Sequence, residues 1–66
     1  MEETKYTVRT LAVMHGWTYA EMADATGIKA RRLMDINAGI TDMTAKELFM
    51  IADATGVPAD RIEYRR

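Results

Sequence analysis

Cysteine is absent from the 66 residues, which excludes disulfides and thiolate-bound metals and suits a reducing compartment. No apolar run approaches the roughly 18 residues that a membrane-spanning helix needs, and the N-terminus has no signal-peptide pattern. The expectation is a soluble, cytoplasmic protein. A basic excess is also missing: nine Lys and Arg stand against ten Asp and Glu, a net charge of −1. That balance argues against strong non-specific attraction to nucleic acid, while leaving room for a local basic face. The parts of an enzyme are lacking too. No nucleophile and base stand at a plausible spacing, and no glycine-rich phosphate loop is present. The single histidine, His15, has no cysteine cluster around it to make a metal site, and its place near a helix end suits the helix dipole. The chain is expected to be a non-enzyme without cofactor or metal.

What is present is helix punctuation. Thr18-Tyr19-Ala20-Glu21 has the form of a capping box, with Trp17 and Met22 at the positions of a hydrophobic staple, and Gly27 closes the segment. This predicts a helix over about residues 19–26. Thr44-Ala45-Lys46-Glu47 repeats the grammar, with Met43 and Leu48 as staple and Gly56 as stop. The two exits match almost letter for letter, Met22-Ala23-Asp24-Ala25-Thr26-Gly27-Ile28 against Ile51-Ala52-Asp53-Ala54-Thr55-Gly56-Val57. Duplication and convergence on a common helix exit both account for the match.

Between these segments, Lys29 to Ala38 is closed by Gly39, and Leu33 and Ile36 form an apolar stripe at i, i+3. Upstream, Val8, Leu11, Ala12 and His15 follow i, i+3, i+4, i+7, which predicts a first helix from about Thr4 to His15. Downstream, Pro58 suits the first turn of a short fifth helix, and Ile62 and Tyr64 alternate with charge in a tail readable as a helical turn or an edge strand. The whole reads as one all-α domain, residues 1–66, of five helices with a core over about 7–62. A domain of this size buries only about 60% of its unfolded surface, so each large apolar side chain matters.

Helices 2 and 3, joined by a tight turn at Thr26-Gly27-Ile28, have the layout of a helix-turn-helix, with the small Ala23 where the next helix must approach closely. Over about residues 7–62 the chain resembles the Cro and lambda-type repressor (Xre) helix-turn-helix family. The residues that carry the likeness are Gly16-Trp17-Thr18, Met22-Ala23, Gly27-Ile28, Leu33, Ile36, Gly39, Thr44, Leu48, Ile51-Ala52, Gly56-Val57 and Ile62. The resemblance implies a lambda-repressor-like fold and a sequence-specific transcriptional regulator that binds double-stranded DNA, with the helix around 29–38 in the major groove. It implies base contacts from Ala30, Arg31, Arg32 and Asp35, an arginine taking guanine bidentately, Ala30 meeting a thymine methyl and Asp35 a cytosine amine. Phosphate contacts would fall to Thr18, Tyr19 and Lys29.

Departures from the family pattern accompany the likeness. Lys29 stands where Ser or Thr commonly caps helix 3. The loop Ile40-Thr41-Asp42-Met43 has no basic residue, and the frequent Arg–Glu pair between helices 1 and 3 is replaced by Ala12 and Asn37. Six methionines are many for this length. Met22 is expected in the core, with Met14 and Met43 as gap fillers, while Met34 lies on the helix assigned to the groove. Ile62, Tyr64, Phe49 and Met50 offer an apolar surface for a homodimer on a two-fold site with half-sites about 34 Å apart. The alternative function is a protein-interaction module on the same fold, such as an antirepressor or a regulator's partner, without DNA binding. Net charge, the acidic loop and Met34 motivate it.

Overall fold

In the computed structural model, which describes residues 5–63, four α-helices follow one another: α1 (Val8–His15), α2 (Tyr19–Thr26), α3 (Ala30–Ala38) and α4 (Ala45–Thr55). The described chain is all-α, but the expected fifth helix is a single 3-10 turn, Ala59–Arg61. It stops there because Ile62 turns extended, at φ −97° and ψ 133°, and forms an isolated parallel bridge with Tyr6. Tyr6 N–H donates to the Arg61 carbonyl at 2.8 Å, and Glu63 N–H donates to the Tyr6 carbonyl at 2.9 Å. The same bridge explains why α1 begins at Val8 rather than near residue 4, since Tyr6 is committed to an extended pairing. No helix among the described residues is long and apolar enough to cross a membrane.

The punctuation is realised as hydrogen bonds. Thr18 Oγ1 accepts from Glu21 N–H at 3.1 Å, and Glu21 Oε1 accepts from Thr18 N–H at 2.8 Å. Thr44 and Glu47 repeat the exchange at 3.1 and 2.9 Å. Each box satisfies two of the amides that a helix start leaves without partners. At α1, Thr7 Oγ1 takes the Thr10 amide, while Asn37 Oδ1 reaches across from α3 to take the Arg9 amide at 3.1 Å. At α3, Lys29 supplies no side-chain cap.

The two matched exits share one geometry. Thr26 and Thr55 are buried; their hydroxyls donate to the carbonyls of Met22 and Ile51, at 2.8 and 2.7 Å, and accept from the amides of Ile28 and Val57. A buried hydroxyl with both roles filled costs nothing in lost hydrogen bonds, which is what makes threonine usable at a buried helix end.

All the elements feed one core of Val8, Leu11, Ala12, Met22, Ile28, Leu33, Met43, Ile51 and Ile62. Two expectations change here. Ile62, assigned to a dimer surface, is 1% exposed and inside the core, because the bridge to Tyr6 and the packing of the last turn on α4 draw it inward. Met14, expected as a gap filler, is 55% exposed, since α1 buries the side of Val8, Leu11 and Ala12. Met22 and Met43 are buried as expected. Tyr64 lies outside the described residues.

Candidate nucleic-acid interface

Helices α2 and α3 are joined by three residues, Gly27, Ile28 and Lys29. Ile28 is buried, which pins the turn to the core, and Gly27 adopts φ 82°, a left-handed conformation that side chains disfavour. A Cβ on Gly27 would also come to 3.4 Å from Met50 Cε, so α4 passes close beneath the turn. That distance is an ordinary contact with the end of a flexible side chain, so it is the backbone conformation that selects glycine.

On α3, Leu33 is fully buried and Ile36 packs half-buried against the core. The far side of the helix carries Ala30, Arg31, Met34 and Asp35. The Arg31 side chain is 83% exposed, and its Nε donates to Asp35 Oδ1 at 3.3 Å one turn on. Such a solvated i, i+4 pair contributes a few tenths of a kcal/mol at most and parts readily when a better acceptor arrives. Met34 is 41% exposed on the same side.

Arg32 has a different occupation. Its Nε donates to Glu47 Oε2 at 2.8 Å and its Nη2 to Glu47 Oε1 at 2.9 Å, the forked geometry that guanidinium and carboxylate share. Nη1 donates to Thr41 Oγ1 at 2.9 Å, and Nη2 also reaches the Asp42 carbonyl at 3.1 Å. One side chain therefore ties α3 to the α3–α4 loop and to the first turn of α4. Glu47 closes the Thr44 capping box with the same carboxylate. The hydrogen bonds from Arg32, aided by the Thr44 amide, outweigh the opposing effect of burial and hold the Glu47 carboxyl down at about 2. The bond to Glu47 likewise raises Arg32.

The four side chains expected to share an outward surface thus divide. Ala30, Arg31 and Asp35 lie along the outer side of α3, and Arg32 faces α4. Of the expected phosphate contacts, Lys29 is exposed at the start of α3 and Tyr19 is half-buried against the core at the start of α2. The Thr18 hydroxyl is occupied by the Glu21 amide. Of the expected self-association residues, Phe49 is 64% exposed and Met50 half-buried on α4.

Several contacts were not anticipated from the sequence. Arg32–Glu47 had one signal available: position 32 adjoins Leu33 and sits one turn before Ile36, so it borders the buried stripe of α3. His15 stacks on Trp17, with ring centroids 4.4 Å apart, and its Nε2 lies 3.2 Å from the Thr55 carbonyl, which links the C-terminal ends of α1 and α4. Arg61 lies over the Tyr6 ring at 5.9 Å, holding the last turn against the N-terminal segment. No family model, curated protein or solved structure matches the chain.

Proposed function

We propose that the chain is a sequence-specific, double-stranded DNA-binding transcriptional regulator of the Cro and lambda-repressor kind, with α2 and α3 as its helix-turn-helix and α3 in the major groove. The observation that carries this reading is the outer side of α3, where Arg31 stands 83% exposed beside Ala30 and Asp35 while Leu33 and Arg32 fasten the opposite side to the core and α4. A helix held rigidly from beneath and free above is what insertion into a groove about 12 Å wide demands. Arg31 is the guanine reader in this account, Ala30 and Met34 the apolar contacts, and Asp35 the partner of a cytosine amine. Lys29 and the Tyr19 hydroxyl face phosphates. Arg32 takes the part of a brace rather than a reader.

The second reading, a protein-interaction module, is favoured by the exposed Met34 on the same side and by the acidic Asp42 in the following loop. Selection from a randomised duplex library separates the two. DNA readout predicts an enriched motif, and Arg31→Ala then loses about 5- to 150-fold in preference at one guanine position, the worth of one bidentate contact. Enrichment no better than the input library supports the interaction module.

A further inference from the structure

We propose that the outer side of α4 docks a second copy of this chain, the two helices antiparallel, with Lys46 of each copy against Asp53 of the other. Lys46, Phe49, Met50 and Asp53 are spaced i, i+3, i+4, i+7 and so form a single stripe, and they line one open groove. Phe49 is 64% exposed there. Read along the helix, the stripe runs cation, apolar, apolar, anion, an order that becomes self-complementary when one copy is turned end for end. A two-fold axis passing between positions 49 and 50 brings both unlike-charge pairs together at once and stacks Phe49 of each copy on Met50 of the other, the self-matching that an isologous contact requires.

The placement of the two charges supports the same arrangement. Lys46 lies in the first turn of α4 and Asp53 in its last, each at the end where the helix dipole disfavours it. Neither belongs to an ion pair among the described residues. In an antiparallel pair each charge comes beside the opposite end of the neighbouring helix, where its sign is favoured. A single helical stripe falls far short of the roughly 800 Å² per partner of a stable interface, so the association is weak, with a dissociation constant on the order of 100 μM. This inference stands apart from DNA binding.

Sedimentation equilibrium of the full chain without DNA, from about 20 μM to about 2 mM, tests it. The expected result is a monomer–dimer equilibrium that Phe49→Ser weakens by about tenfold or more. Lys46→Asp alone, which sets like charges together twice, should weaken the dimer by about threefold or more. Combining it with Asp53→Lys should recover part of that loss, stopping short of the parent because each reversed charge meets the end of the neighbouring helix that disfavours it. Both reversals put charges at the helix ends that prefer them, and Phe49 is solvent-facing, so these variants remain folded. A chain that stays monomeric throughout overturns the proposal. So does a dimer indifferent to Phe49→Ser, or a double reversal as weak as the single one.

Discussion

Arg31 and Arg32 lie one position and about 100° apart around α3, and replacing each by alanine separates two kinds of work. Arg31→Ala leaves the melting temperature within about 2 °C of the parent, because a solvated pair with Asp35 is all that is lost from the fold. Arg32→Ala lowers it clearly, since the Glu47 carboxylate, the Thr41 hydroxyl and the Asp42 carbonyl all lose a donor. The Arg32→Ala, Glu47→Ala double variant should lose less than the sum of the single losses, and strict additivity would show the pair to be uncoupled. Acid tests the same contact by another route. The Glu47 carboxyl titrates near 4.5 in an unfolded chain and at about 2 in the fold, so its contribution is complete above about pH 4.5 and drains away as pH falls toward 2. The melting-temperature gap between parent and Glu47→Gln therefore narrows across that window. A gap constant from about pH 6 to about pH 2.5 would mean that the carboxylate gains nothing from Arg32.

At the scale of elements, what could be read from the sequence is what depends on neighbours in the chain. The two capping boxes and the stops at Gly27, Gly39 and Gly56 involve residues three or four apart, and their positions emerge as written. Distant pairings stayed hidden. Arg32 meets Glu47 fifteen residues on, and Ile62 meets Tyr6 across most of the chain, so Arg32 looked like a second reader and Ile62 like an exposed anchor. Only the reach of Arg32 to the first turn of α4, and the pairing of the tail with Tyr6 beside α4, assigns them. Two substitutions test the α2–α3 connection. Gly27→Ala forces a side chain into a left-handed backbone, and should destabilise the fold by about 1–2 kcal/mol in chemical denaturation. Lys29→Ser supplies the missing cap of α3 and should raise stability by about 1 kcal/mol, or roughly 4–8 °C in a domain of this size. No gain would mean that the first amides of α3 are already satisfied.

For the whole molecule, fold and function make different demands on a chain with a net charge of −1. Of the ten acidic residues, Glu21 and Glu47 are engaged in capping boxes, so part of the acidic charge serves the scaffold. The basic groups beside the outer side of α3 are few, Lys29 and Arg31 foremost. Duplex binding should accordingly show a shallow salt dependence, with log K falling against log salt at a slope of about −1 to −2, one phosphate's worth from Lys29 and at most a second from Arg31. A slope near −6 would point to a larger basic surface than α3 offers. The central claim is that the outer side of α3 meets the bases, and its most direct test is an amide chemical-shift map of the ¹⁵N-labelled chain titrated with a library-selected duplex. The account predicts the largest changes at Lys29, Ala30, Arg31 and Met34, with a second set at Tyr19. Changes centred on α4, or none at all under saturating duplex, would contradict it.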